Sequence, residues 1–93
     1  MKYKVEYATK FRRQYKRLIK RGYNMDLLKT VVDKLANGEK LEPKHRDHAL
    51  SGNWIGFREC HIAPDWLLVY QKIDNEELLL VLARLTSHSD LSF

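Results

Sequence analysis

The sequence predicts an α+β fold in which one mainly antiparallel sheet packs against a helical hairpin. Two observations support this. Apolar residues recur at helical spacing in two stretches before residue 37, and three strand-like segments separated by turn residues fill positions 57–85. A chain of 93 residues has room for one domain with a single modest core. We therefore expect one domain over residues 1–93, with the element order β-α-α-β-β-β.

The first half of the chain predicts a short strand and both helices. Residues 2–7 alternate in polarity as a strand does. The first helix begins near Thr9, a possible N-cap, and ends near Gly22. Its apolar positions are Phe11, Tyr15, Leu18 and Ile19. Asn24 can cap the second helix, which ends at residues 37–38. Its apolar stripe consists of Leu27, Leu28, Val31, Val32, Leu35 and Ala36. The short connection predicts an antiparallel hairpin.

The second half predicts three strands. Positions 57–63 form the first of them, which Pro64 ends. The residues on one face of this strand are Phe57, Glu59, His61 and Ala63. Positions 66–73 form the next strand, and the almost unbroken apolar run over 78–85 predicts a strand buried on both faces. Two consecutive hairpins make an antiparallel meander, and the helices must cover one face of this sheet to bury their stripes.

Positive charge is concentrated in the first half. Residues 1–46 contain 14 Lys and Arg against 5 Asp and Glu, a net charge of +9, whereas residues 47–93 contain 3 against 7, a net charge of −4. Seven cations and no acid fall within the first predicted helix: Lys10, Arg12, Arg13, Lys16, Arg17, Lys20 and Arg21. This density suits a polyanion such as RNA, with Lys16 and Lys20 as candidate contacts. A solvated helix face and a surface for an acidic partner protein are the alternative interpretations.

Composition argues against several other classes. There is no apolar run close to the length that spans a bilayer and no signal peptide, so we expect a cytoplasmic protein. The single Cys60 is expected to be a small buried apolar residue, because it has no partner for an intramolecular disulfide. We recognise no glycine-rich phosphate loop, paired-carboxylate magnesium motif or nucleophilic cysteine arrangement, and we expect no cofactor.

Residues able to transfer protons cluster in residues 47–66, DHALSGNWIGFRECHIAPDW. His61 projects from the predicted strand, and Asp65 follows Pro64 at the bend before the next strand. Turn-forming residues between the histidines allow His48 to fold back toward them. Because histidine can accept or donate a proton near neutral pH, the segment predicts an acid–base site. Surface histidines and a turn aspartate are the alternative interpretation.

The segment DHALSGNWIGFRECHIAPDWLLVY, followed by Arg84 and by Thr86-Ser87-His88, resembles the YafQ branch of the RelE-type toxins, in the RelE/ParE superfamily. The resemblance implies a RelE-like fold and a ribosome-dependent mRNA interferase of a type II toxin–antitoxin system. It further implies that a cognate antitoxin neutralises the chain. The basic first half adds two expectations: the antitoxin is acidic, and the basic helix contacts rRNA.

On this resemblance, the expected catalytic set is His48, His61, Asp65, Arg84 and His88. The histidines would move protons during attack of the RNA 2′-hydroxyl, and Asp65 would orient a histidine or share the base role. The Arg84 guanidinium would stabilise the phosphorane, and His88 would protonate the leaving 5′-oxygen. An interior ion pair for Arg84 and a surface position for His88 are the alternatives.

Candidate substrate contacts complete the set of expectations. Trp66 is either a platform for base stacking or a core residue, and Arg58 is a further candidate. YafQ-like chains tend to place an aromatic residue four positions after the terminal histidine. Here Ser92 occupies that position and Phe93 follows it, so Phe93 is the candidate in a register shifted by one. Trp54 is assigned to packing.

Two alternatives stay open. A zinc site could use His48, His61 and Asp65, although H-x-x-x-D across a proline is no recognised zinc spacing. The chain could also be a non-catalytic RNA- or ribosome-binding module, or a toxin of the same superfamily with another target. The complete set of five candidate residues favours a metal-independent endoribonuclease, because a non-catalytic relative is expected to lack several of them.

Overall fold

The computed structural model describes residues 2–87, which contain two helices and a five-stranded sheet. In chain order the elements are β1 (Lys4–Tyr7), α1 (Thr9–Lys20), α2 (Met25–Ala36), β2 (His48–Ala49), β3 (Arg58–Ala63), β4 (Trp66–Asp74) and β5 (Leu78–Ser87). The spatial order is β1-β5-β4-β3-β2, with β1 parallel to β5 and every other pair antiparallel. The predicted α+β fold is confirmed, and the two-residue strand β2 is an addition to the predicted order.

The ends of the helices follow from local chemistry. Asn24 caps α2 as predicted, because its side-chain oxygen accepts a hydrogen bond from the Asp26 amide at 3.0 Å. Gly22 follows α1 with φ of +84°, a conformation that glycine adopts without steric cost. Thr9 is the first helical residue and not the N-cap, a position that Ala8 occupies. No helix within residues 2–87 combines the length and the apolar character needed to cross a bilayer.

Both helices bury their apolar faces against the same side of the sheet. The helical part of the core consists of Phe11, Leu18, Leu28, Val31, Leu35 and Ala36. The strand part consists of Cys60, Ile62, Trp66, Leu68, Tyr70, Leu80, Leu82 and Leu85. Ile19 and Leu27 were predicted to lie in the apolar stripes, but they are 47% and 46% exposed, because each lies at the margin of a helix that is covered on one side only. Gln14 is buried instead.

A β-bulge determines which way Arg84 points. Val69 pairs with Arg84 and Tyr70 with Leu82, so Ala83 is an extra residue in β5. Simple alternation from Leu82 would direct residue 84 toward the helices, and the bulge turns it to the opposite face. The buried Gln14 side chain accepts a hydrogen bond from the Leu85 amide just after the bulge, at 2.8 Å. A side chain of α1 thus provides the hydrogen-bond acceptor for a backbone amide of β5 at the point where the β4–β5 hydrogen-bond pattern is irregular.

Cys60 makes the stability of the fold sensitive to alkaline pH. Its thiol is in the core, and burial raises its pKa from 9.0 to about 12. A group whose folded pKa is raised stabilises the fold fully below its unfolded pKa, and that contribution is lost as pH rises toward the folded pKa. We predict a decline in unfolding free energy of about 1.4 kcal/mol per pH unit from this thiol above pH 9.

The Cys60→Ala variant isolates this contribution, since alanine has no ionisable group. Urea denaturation between pH 8 and pH 11 should show unfolding free energy falling more steeply with pH in the wild-type chain than in the variant. The comparison uses slopes, so any stability lost through the missing sulfur at neutral pH does not affect it. Parallel pH curves for the two chains would contradict the prediction.

Candidate active site

A row of four directly paired residues crosses the face of the sheet opposite the helices. His48 pairs with Glu59, Glu59 with Val69 and Val69 with Arg84, on four successive strands. Direct cross-strand partners share a face. With about 4.8 Å between neighbouring strands, the row spans about 14 Å. We call these four residues the site row.

The side chains of His48 and Glu59 lie next to each other in the site row. The His48 Nδ1 atom lies 2.7 Å from the Arg46 carbonyl oxygen, and because a carbonyl only accepts, Nδ1 is the donor. The His48 Nε2 atom lies 3.4 Å from a Glu59 carboxyl oxygen, and the Glu59 side chain is 15% exposed. The two side chains form an ion pair whenever His48 is protonated.

His61 lies on β3 two residues beyond Glu59 and on the same face. Its Nδ1 atom is 3.3 Å from the Pro64 carbonyl oxygen, so Nδ1 donates and Nε2 is the acceptor atom of the neutral ring. His45 donates from its Nδ1 to the His61 carbonyl oxygen at 2.7 Å and anchors this part of the strand. Asp65 is exposed in the turn that begins at Pro64.

Arg84 is held from two directions. Its Nη1 atom donates to the Ala83 carbonyl oxygen at 2.7 Å, and its guanidinium carbon lies 5.1 Å from the centre of the Trp54 ring. Trp54 belongs to the loop between β2 and β3 and also packs edge-on against Phe57, at 5.0 Å between ring centres. The loop therefore reaches the face that carries the site row, and Trp54 contacts Arg84 in addition to the packing predicted for it.

Trp66 does not fit the role of base-stacking platform. It is 1% exposed, belongs to the core and meets Tyr23 edge to face at 5.1 Å. Its indole nitrogen is buried without a hydrogen-bond partner among residues 2–87. The alternative interpretation of Trp66 as a core residue fits the structure.

Arg58 does not fit the role of substrate contact. It lies on the face of β3 opposite His61, and its guanidinium reaches both carboxyl oxygens of Asp47 at 3.3 Å. Tyr70 donates to the same carboxylate at 2.6 Å. The hydrogen bond with Asp47 raises the pKa of Arg58, and burial followed by the bond to Asp47 raises the pKa of Tyr70. This cluster anchors the residue directly before His48.

The other predicted residues fall in two groups. Lys16 and Lys20 are exposed on α1, on the side of the sheet away from the site row, so the structure does not bring them together with the histidines. His88 and Phe93 lie outside the described residues. Glu59 was not predicted as a site residue, although the predicted alternation of β3 placed it on the same face as His61.

The site row lies on the face of the sheet opposite the helices. A groove of about 710 Å³ lies at the β1 edge, between β1 and α2, at the opposite end of the sheet from His48. Within residues 2–87, no three side chains among His, Cys, Asp and Glu are grouped as ligands for a metal ion.

Solved bacterial toxins share this architecture. A metal-bound toxin from Helicobacter pylori is 47% identical, with a TM-score of 0.86 and coverage of 97% of this chain and 99% of that chain. YafQ in the Escherichia coli DinJ–YafQ toxin–antitoxin complex is 32% identical, with a TM-score of 0.86 and full coverage of both chains. The mRNA interferase toxin YafQ of E. coli K12 is 34% identical over 88 residues, which cover 94% of this chain and 92% of that protein.

The fold and the sequence together place the chain among the bacterial toxins of type II toxin–antitoxin systems. The family model described as bacterial toxin of type II toxin-antitoxin system, YafQ, matches residues 3–93. The chain belongs to this YafQ toxin family, and the resemblance stated from its motifs is confirmed.

Proposed function

We propose that this YafQ-family toxin is a ribosome-dependent endoribonuclease, an mRNA interferase, that acts in the cytoplasm. It cleaves mRNA through metal-independent acid–base attack of a 2′-hydroxyl on the adjacent phosphodiester. The observation that carries the proposal is the site row with His61 beside it, which gathers proton-transfer groups and a guanidinium on one face of the sheet. The E. coli relative YafQ is an mRNA interferase, which supports mRNA as the substrate.

His61 suits the role of general base because Nε2 is the acceptor of its neutral ring. It takes the proton from the 2′-hydroxyl as that oxygen forms a bond to phosphorus. The His48–Glu59 pair lies beside it on the same face and can take up or return the proton. Asp65, in the turn next to the Pro64 contact of His61, orients the histidine or shares the base role.

Arg84 suits the stabilisation of the phosphorane, in which negative charge grows on the equatorial oxygens. The bond from phosphorus to the 5′-oxygen then breaks, and His88 protonates the leaving oxygen. Support for His88 comes from its place in the sequence, one residue beyond β5. The products are a 2′,3′-cyclic phosphate on one fragment and a 5′-hydroxyl on the other.

The basic surface of α1 supports dependence on the ribosome. Its cations, including Lys16 and Lys20, are exposed on the side of the molecule away from the site row, where they suit rRNA.

A direct test is to induce the wild-type chain and a His61→Ala variant in bacteria and to map mRNA 5′ ends. The wild-type chain should arrest growth and create new mRNA ends, and the variant should do neither. Growth of the wild-type strain without arrest or new ends would contradict the enzyme and favour the binding module. Arrest without new ends would favour a toxin with another target.

The metal-independent part of the proposal needs a minimal bound RNA substrate, because ribosomes themselves require magnesium. Cleavage of that RNA should continue when the divalent ions are chelated. Loss of cleavage that zinc restores would contradict the proposal and revive a metal site that uses His48, His61 and Asp65.

Phe93 is predicted to hold the terminal segment so that His88 meets the leaving oxygen. Deleting Phe93 should lower cleavage by roughly tenfold or more, where tenfold is about 1.4 kcal/mol of transition-state positioning, and leave the thermal midpoint nearly unchanged. Phe93→Tyr is the matched control, since it keeps an aromatic ring, and it should retain activity. Undiminished cleavage by the truncated chain would show that the aromatic residue is dispensable.

The partner we propose is a cognate acidic antitoxin, as the E. coli relative has been solved in a toxin–antitoxin complex. The net charge of +9 in residues 1–46 predicts that the affinity falls as salt rises, to the extent that the ion pairs are exposed. Co-expression with the neighbouring open reading frame, followed by co-purification at increasing salt, measures this. Failure to co-purify at low salt would count against the pairing.

A further inference from the structure

We propose that Trp54 is a positioning residue for Arg84, whose guanidinium it holds in the site row during RNA cleavage. This inference rests on the proposed function, because it takes Arg84 as the group that stabilises the phosphorane. It goes further by giving a role in the reaction to the loop between β2 and β3.

The contact between the two side chains has the geometry of a cation–π interaction. The Arg84 guanidinium carbon is 5.1 Å from the centre of the Trp54 ring, inside the range of about 6 Å within which such pairs attract. The Ala83 carbonyl oxygen accepts from Arg84 Nη1 at 2.7 Å. The indole and the carbonyl together fix the position and the plane of the guanidinium. Without them, rotation about the bonds of the long arginine side chain would leave the guanidinium in many orientations.

Trp54 is itself well supported. It ends the 3₁₀ turn Gly52–Trp54, and its carbonyl oxygen accepts from the Phe57 amide at 3.0 Å. The Leu50 amide donates to the Phe57 carbonyl oxygen at 2.9 Å and closes the base of the loop. The Phe57 ring then packs edge-on against the indole, with an angle of 81° between the planes. The loop is therefore a firm support for the indole.

Glu59 is the acidic residue of the site row. Glu59 lies two strands from Arg84 in that row, about 10 Å away along the sheet, a distance that the two long side chains can close together. A guanidinium released from Trp54 would find the Glu59 carboxylate as an alternative partner. That ion pair would remove Glu59 from His48 and Arg84 from the phosphate at the same time.

A double-mutant cycle tests the inference, using single-turnover cleavage of mRNA on purified ribosomes. Trp54→Leu should slow the maximal cleavage rate by about 10- to 100-fold, as expected for a displaced catalytic group, with the half-saturating toxin concentration unchanged. In the Arg84→Gln background, Trp54→Leu should have no further effect. Trp54→Phe keeps an aromatic face and should retain most of the rate. Ile55→Ala, in the same loop and 77% exposed in the wild-type chain, is the matched control and should be fully active.

The outcomes separate this inference from the proposed function. Independent, multiplicative losses from Trp54→Leu and Arg84→Gln would show that Trp54 acts on the substrate by itself and would overturn the positioning role. Full activity of Trp54→Leu would overturn it as well. Full activity of Arg84→Gln would instead overturn the role proposed for Arg84 in the reaction.

A spectroscopic measurement on the wild-type toxin does not depend on how a variant folds. The Nε–H resonance of Arg84, assigned by its loss in Arg84→Gln, should be displaced by the ring current of the indole. It should move toward the ordinary arginine position in Trp54→Phe, whose ring is smaller. A wild-type resonance at the ordinary position would contradict the contact between Trp54 and Arg84 in solution.

Discussion

Replacing His61 with asparagine should slow mRNA cleavage by about 10²- to 10⁴-fold, the usual contribution of a general base. Asparagine can place an amide N–H near the position of Nδ1 and keep the hydrogen bond to the Pro64 carbonyl oxygen, which is 3.3 Å from His61 Nδ1. It has no counterpart of Nε2. The variant therefore removes the proposed base with little change to the strand, and single-turnover cleavage on purified ribosomes measures the loss.

His45→Asn is the matched control. His45 Nδ1 donates to the His61 carbonyl oxygen at 2.7 Å, and an asparagine amide can keep that hydrogen bond. This variant loses an imidazole without losing the anchor of β3, and it should cleave at the wild-type rate. Wild-type activity of His61→Asn would exclude His61 as the base. An equal loss in His45→Asn would show that the cleavage rate depends on the anchoring of β3 more than on the ring nitrogen of His61.

Replacing Arg84 with glutamine should lower the maximal cleavage rate by about 10²- to 10³-fold, as removal of one preorganised donor does at other oxyanion sites. Glutamine removes the charge and the planar fork. Arg84→Lys keeps the charge without the fork and should give an intermediate rate. The toxin concentration at half-saturation should change little, because the guanidinium acts on charge that develops in the transition state.

Lys72→Gln is the control for loss of a strand cation. Lys72 lies on β4 with its ammonium 5.2 Å from the Tyr3 ring, away from the site row. The Lys72→Gln substitution should have no effect on the maximal cleavage rate. If Arg84→Gln raises only the toxin concentration at half-saturation and leaves the maximal rate unchanged, Arg84 acts in ground-state binding. That result would contradict its proposed role.

The fold was predictable because its elements follow from local patterns. Alternation and apolar runs gave β3, β4 and β5, and helical spacing with Asn24 as a cap gave α2. Strand β2 was missed because two residues carry no pattern of their own, and their pairing depends on β3. Gln14 was missed for a similar reason, since its hydrogen-bond partner, Leu85, is 71 residues away.

The site was predictable in its chemistry and less so in its assembly. The motif identified His48, His61 and Arg84, and the structure places all three on one face. The orientation of Arg84 depends on a bulge that an apolar run does not reveal. Its contact with Trp54 depends on a loop that crosses the sheet. Trp66 could not be assigned from sequence, because a strand residue next to a turn can face either the core or the solvent.

We propose that side chains on the site row promote attack of the RNA's own 2′-hydroxyl. The most direct measurement is mass spectrometry of the fragment ends after purified toxin has cleaved a defined mRNA on the ribosome. We expect a 2′,3′-cyclic phosphate, or the monophosphate to which it hydrolyses, on the upstream fragment and a 5′-hydroxyl on the downstream fragment. A 3′-hydroxyl on the upstream fragment with a 5′-phosphate on the downstream fragment would contradict it, because those ends arise when water attacks the phosphodiester.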